Sequence, residues 1–232
     1  MMIPRQIPGA FRTLLCSLRA LFLLLLLGWP VWSLVRGEPD YMWPLPVRLG
    51  ESAVLVVCAF AWALGTRGWP LGGYPWLLLG GMTLGHLGDW NIGRMLGLSQ
   101  PVVLGMMIFG AGHILYMIGY SRLASALALH DRRAVATGIA IYLVVATLMW
   151  WLLVQNPEKG PVMNLGALGY GLLLGAMGGW AAGLAAQDCR FLGLAVGGVL
   201  FMVSDVILGA EALRGIQWDL QGETIWITYI VG

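Results

Sequence analysis

Charge is what this sequence lacks most. Of its 232 residues only 10% are Asp, Glu, Lys or Arg, while 59% are hydrophobic. Soluble domains carry about 25% charged residues, so the deficit excludes a water-soluble globule and leaves a polytopic membrane protein. No long basic run is present, and a net charge of +2 excludes the basic stripe by which nucleic acid is bound. Cysteine is scarce as well. Cys16, Cys58 and Cys189 lie in or beside apolar stretches without CxxC or ligand-like spacing, which argues against a disulfide framework or a zinc knuckle. Plentiful instead are glycine (34) and tryptophan (12), the first frequent within membrane helices and the second at bilayer interfaces.

About 20 apolar residues cross a bilayer as a helix. Runs of that kind fall at 17–35, 45–65, 73–94, 101–121, 134–154, 161–186 and 190–212, and TIWITYIVG (224–232) opens an eighth that the chain leaves incomplete. The N-terminal stretch has the basic start and apolar run of a signal peptide. No A-x-A-like cleavage site follows, so it reads as the first membrane helix. The expected fold is all-α: a polytopic membrane helical bundle of eight transmembrane helices, one integral-membrane domain over residues 1–232 with no soluble domain or long linker. On one side of the membrane lie Arg5, Arg12, Arg19, Arg67, Arg122, Arg132, Arg133 and Arg190; on the other lie Arg36, Arg48, Arg94, Lys159 and Arg214. That bias places the N-terminus in the cytoplasm, in the inner membrane if the host is bacterial. Gly171, Gly175, Gly179 and Gly183 in the sixth span, and Gly193 and Gly197 in the seventh, repeat every four residues. Such spacing makes a groove for a neighbouring helix backbone.

Nine acidic residues fall in loops or near span ends: Glu38, Asp40, Glu51, Asp131, Glu158, Asp188, Glu211, Asp219 and Glu223. Two do not: Asp89 lies in the third span and Asp205 in the seventh. A carboxylate within the membrane costs at least about 2.5–3.5 kcal/mol, so its default reading is functional; the plainer alternative is a hydrogen bond to a neighbouring helix. Both spans run in the same direction, and both aspartates lie about 23 Å from the inner face at 1.5 Å per residue. Two carboxyl groups at one depth are able to share a cavity. His86 stands three residues before Asp89 on the same helical face. His113 and Tyr116 form a second pair with that spacing, and Tyr170 and Ser204 complete the polar set. A hydrolytic zinc site ordinarily needs three protein ligands. The third histidine, His130, stands in a loop beside Asp131, Arg132 and Arg133, so neither a metal nor any other cofactor is expected.

Three segments together resemble one family. LGHLGDWNIG (84–93) followed by FGAGHILYMIGY (109–120) is similar to the Gly-Asp and His-x-x-Tyr signatures of the lysoplasmalogenase family, the bacterial YhhN and animal transmembrane protein 86 group. LFMVSDVILGAEAL (200–213) resembles its Ser-Asp signature, and ITYIVG (227–232) the start of its last Tyr-containing helix. The pattern departs at one place, where WPLPVRLGE (43–51) replaces the Lys-Pro that often opens the second span. The resemblance therefore carries over the acidic pair but not head-group recognition on that side.

This resemblance implies a fold of eight membrane helices and an enzyme that cleaves the vinyl ether bond of a lysoplasmalogen. The products are a fatty aldehyde and a glycerophospho-ethanolamine or -choline. Protonation of the vinyl β-carbon gives an oxocarbenium ion that water captures, a task for one protonated carboxyl group and one carboxylate. Glycosidases meet a related problem with two carboxyl groups. On this reading Asp89 and Asp205 are catalytic, while His113, Tyr116, Tyr170, Ser204, Tyr229 and His86 bind or orient substrate and water. The expected partners are a lysophospholipid and membrane lipids, with no nucleic acid. Two other classes also place acids in spans. An intramembrane aspartyl protease carries Gly-x-Gly-Asp, where this chain has His86 at the first glycine, and Tyr-Asp, where it has Ser204-Asp205. A small-molecule or proton-coupled transporter usually shows an internal repeat with broken helices, which is not evident here.

Overall fold

The structure, a computed structural model, describes residues 9–36, 44–71 and 73–232; Arg5, Glu38 and Asp40 therefore lie outside the described residues. Among the described residues eight α-helices follow one another: α1 (Gly9–Arg36), α2 (Leu45–Gly65), α3 (Tyr74–Ile92), α4 (Pro101–Ala126), α5 (Arg132–Met149), α6 (Gly160–Gln187), α7 (Leu192–Arg214) and α8 (Gln221–Val231). No strand occurs among the described residues. Proline opens α2, α3, α4 and α6, where its missing N–H would be unpaired in any case. The Asp131 carboxylate caps α5 by accepting hydrogen bonds from the Arg133 and Ala134 amides at 2.9 and 3.1 Å. Gly215, at φ 67°, ends α7 in the left-handed conformation that favours glycine.

Six of these helical stretches are long and apolar enough to cross a membrane: Phe11–Trp32, Leu45–Gly65, Pro101–Ala126, Arg132–Val154, Pro157–Gln187 and Cys189–Arg214. The protein is an integral, multi-pass helical membrane protein. Two of the expected spans form helices but fall outside that set. In α3, His86, Asp89 and Asn91 dilute the apolar character of 19 residues, and α8 is 11 residues long. The first helix begins at Gly9 rather than near 17, and α4 continues past 121 to Ala126.

Helix contacts close into a ring running α2, α3, α4, α6, α7, α8 and back to α2, with α1 outside α2 and α5 outside α6. The ring is filled at one end. There Tyr74, Tyr120, Leu123, Met177, Ala181 and Leu184 form a buried cluster. Tight helix contacts come from the glycine stripe of α6, though not from all of it. A Cβ on Gly179 would lie 2.6 Å from Gly138 O and Ile139 Cα of α5, and one on Gly183 would meet the Val135 backbone. Gly175 packs against the Tyr142 carbonyl. Gly171 and Gly193 have no neighbour within 4 Å of that position, whereas the Gly232 backbone approaches Gly197.

At the other end the chain is tied by polar groups. The α5 helix passes into a π turn over Trp150–Val154. Its exposed carbonyls accept hydrogen bonds from Arg214, whose Nη1 lies 2.7 Å from Leu152 O and whose Nε lies 2.9 Å from Gln155 O. Asn164 of α6 accepts from the Asn156 amide and donates to the Asn156 and Gly160 carbonyls, while Asn156 donates to Leu213 O of α7. These bonds satisfy backbone groups that the helix ends leave without an intrahelical partner.

Candidate active site

The ring is hollow at this second end. A cavity of about 410 Å³ opens there, lined by the start of α2, the first halves of α4 and α6, the length of α8, the last turn of α3, the C-terminal half of α7 and the π turn after α5. Most of the lining is apolar, from residues such as Val102, Met106, Phe109, Leu174 and Met202. Asp89 and Asp205 both line it, with Tyr170, Ser204 and Tyr229. The two carboxyl groups are close enough for each aspartate's charge to act on Tyr229 and for Asp205 to act on Asp89.

The aspartates differ in their hydrogen bonding. Tyr170 donates its hydroxyl to Asp205 Oδ2 at 2.5 Å, and Ser204 donates to Oδ1 at 3.1 Å. His113 stands behind Tyr170, with Nε2 at 3.2 Å from the phenol oxygen. Because the single phenol proton goes to Asp205, the proton between His113 and Tyr170 belongs to His113 Nε2. Asp89 is less well supplied. The Tyr229 and Ser52 hydroxyls stand beside its carboxyl group, but Oδ2 is buried without a hydrogen-bond partner.

Local sequence explains how these groups come together. In LGHLGDWNIG, a Cβ at Gly88 would strike the Phe109 ring of α4, and one at Gly85 would lie 3.6 Å from the Tyr229 hydroxyl. Gly88 thus makes room for an aromatic wall, and the Tyr229 hydroxyl stands at ordinary contact distance from the Gly85 position. Phe109, Phe201 and Trp226 surround Tyr229 with ring centroids 6.0, 5.1 and 5.4 Å away, spacings favourable for aromatic pairs. Asn91, one turn beyond Gly88, donates to Pro101 O at 2.6 Å and ties the 93–100 connection to the start of α4.

The remaining candidates stand off the cavity. Tyr116 packs beside His113 at 6.2 Å and against Gly81. His86 does not line the cavity; its Nδ1 is 2.7 Å from Ser52 Oγ. Among the described residues no group of three His, Cys, Asp or Glu side chains is placed to hold a metal ion.

Sequence reasoning missed four contributors. Glu51, read above as one of the acids in a loop or near a span end, is fully buried within α2, because Trp226 of α8 closes over it and donates Nε1–H at 2.5 Å. Arg48, one turn earlier, lines the cavity with its guanidinium carbon 5.8 Å from the centre of the Trp226 ring. Ser52 and Trp226 complete the set. Arg48 and Glu51 did carry a signal, two charges three residues apart within an apolar span and so on one helical face.

A family model described as YhhN family matches residues 47–232. The chain belongs to this family, the lysoplasmalogenase family. Every residue lining the cavity except Leu45 falls within the match, whereas α1 lies outside it. No curated protein and no solved structure matches the chain.

Proposed function

We propose that this YhhN family member hydrolyses the vinyl ether bond of a lysoplasmalogen, releasing a fatty aldehyde and a glycerophospho-ethanolamine or -choline. One observation carries the reading: two span carboxyl groups converge on one largely apolar cavity that opens at an end of the bundle. An apolar chain fits such a lining, and the acids stand where the chain meets its polar head.

The hydrogen bonds support a division of roles. Asp205 accepts from two hydroxyls, a setting suited to the ionised form, while the buried Asp89 Oδ2 has no hydrogen-bond donor, a setting suited to the protonated form. Asp89 passes its proton to the vinyl β-carbon, leaving an oxocarbenium ion at the ether carbon. Asp205 faces the cation and takes a proton from the water that adds to it. The resulting hemiacetal breaks its bond to the glycerol oxygen. That oxygen takes the proton from Asp205 as the hemiacetal hydroxyl returns its own to Asp89, so both acids are restored. Tyr170, positioned by His113, holds Asp205. Tyr229 spans the two acids, and Ser204 orients Asp205. Tyr116 and His86 support this set from behind. The N-terminus lies in the cytoplasm, in the inner membrane of a bacterial host, and the substrate comes from the bilayer.

The test is aldehyde release from lysoplasmalogen by the purified protein, beside Asp89→Asn and Asp205→Asn, with and without EDTA. We expect turnover in the wild type, unaffected by EDTA, and a loss of about 10²–10⁴-fold in either folded variant, in line with removal of a general acid or base. Absence of aldehyde from both ethanolamine and choline substrates overturns the proposal.

A further inference from the structure

Among the described residues lining the cavity, Arg48 is the one cation, and Asp89, Asp205 and Glu211 are the acids that share the lining with it. The other basic groups at this end are differently employed. Arg214 donates to the carbonyls of Trp151, Leu152 and Gln155, and Arg94 and Lys159 do not line the cavity. Arg48 stands in the first turn of α2, at the open end, while Asp205 lies nine residues, about 13 Å, inside the corresponding end of α7.

The guanidinium is not neutralised by direct pairing. Asp89, Glu51 and Glu223 lie within electrostatic reach, but among the described residues no carboxylate is within ion-pair distance of it. Its Nε is buried without a hydrogen-bond partner. Glu51, the nearest acid in sequence, instead accepts from Trp226, and the ring so held lies beside Arg48. An arginine stacked on an aromatic face is held in one orientation, and its planar fork of donors matches the two oxygens of a phosphate.

We propose that Arg48, supported by Trp226 and Glu51, is the phosphodiester subsite of the cavity and makes this protein selective for phosphate-bearing enol ether lipids over the corresponding glycerol ethers. The proposal rests on the reading of the site as a vinyl ether hydrolase. Only the short glycerol unit separates the ether oxygen from the phosphate, so a phosphate at Arg48 leaves the ether bond near Asp89.

The experiment compares two ligand pairs on the full chain in detergent. Binding is read with a saturated 1-alkyl lysophosphatidylethanolamine and the 1-alkylglycerol of equal chain length, neither of which can be hydrolysed; turnover is read with the corresponding 1-alkenyl pair. Loss of a hydrogen bond to a charged group costs about 1.5–3 kcal/mol, roughly 10–150-fold. We expect the wild type to prefer the phosphorylated ligand by about that factor, Arg48→Gln to bring the ratio close to one, and Arg48→Lys to restore it only in part. A wild type without the preference, an Arg48→Gln variant that keeps it, or equal weakening of both ligands overturns the subsite; the last outcome would make Arg48 a counter-charge for Asp89 and Glu51. A binding preference lost in Arg48→Gln, with no aldehyde from either alkenyl lipid, sustains the subsite and overturns the hydrolase.

Discussion

Tyr170 links a histidine on α4 to a carboxylate on α7 through one phenol oxygen, accepting from His113 at 3.2 Å and donating to Asp205 at 2.5 Å. A chain of this kind holds the carboxylate in one orientation, because each group has a single remaining choice of partner. Removing the phenol hydroxyl should therefore affect chemistry more than folding. Tyr170→Phe keeps the ring packed against His113 but withdraws a hydrogen bond to a charged acceptor, with a cost of about 1.5–3 kcal/mol. On the proposed mechanism kcat should fall about 10–150-fold, while the melting temperature should fall by only several degrees as Asp205 and His113 lose a buried partner. Aldehyde-release kinetics beside a thermal melt would check this, and unchanged kcat would remove Tyr170 from the site. The aspartates were legible in the chain because charge inside an apolar span is conspicuous. Glu51 was not, since its burial depends on a tryptophan 175 residues away.

Helix packing shows the same division at the next scale. The four-residue glycine repeat of α6 is plain in the chain, but its members meet different surroundings. Gly179 lies against the α5 backbone, which cannot yield, while Gly171 opens on the cavity. Overpacking costs about 1–3 kcal/mol. Gly179→Ala should therefore lower the melting temperature in detergent by several degrees, whereas Gly171→Ala should leave it within error. Equal shifts would mean that α5 and α6 are not in backbone contact at Gly179. Spacing alone identifies a face without naming what covers it. That is why the stripe predicted a groove along its whole length and the contact uses three of its four glycines. In α3 it is Gly88 that serves the site, by seating the Phe109 ring.

For the whole molecule, the ring of helices is packed at the end carrying Tyr74, Tyr120 and Leu184 and hollow at the end carrying Arg48 and Trp226. The side of the membrane on which the hollow end opens decides which leaflet supplies substrate. The proposed orientation places Cys189, an exposed residue at the packed end, in the cytoplasm. An impermeant maleimide should then fail to label Cys189 in intact cells and should label it after permeabilisation. A Glu158→Cys variant, at an exposed position on the hollow end, should be labelled in intact cells. The reverse pattern would turn the cavity toward the cytoplasm.

Composition and hydropathy alone determined that the chain is a helical membrane protein, roughly where its helices run, and that Asp89 and Asp205 are exceptional. Each of these follows from the cost of putting a polar group into hydrocarbon, a property of single residues and short windows. Tertiary structure decided the rest. It placed the two acids on one cavity, separated their hydrogen bonding, buried Glu51 beneath Trp226, and turned Arg48 into the cation of the cavity. These outcomes depend on which helix faces lie opposite one another. The Glu51–Trp226 contact that closes the ring joins residues 175 positions apart, beyond the reach of any local pattern.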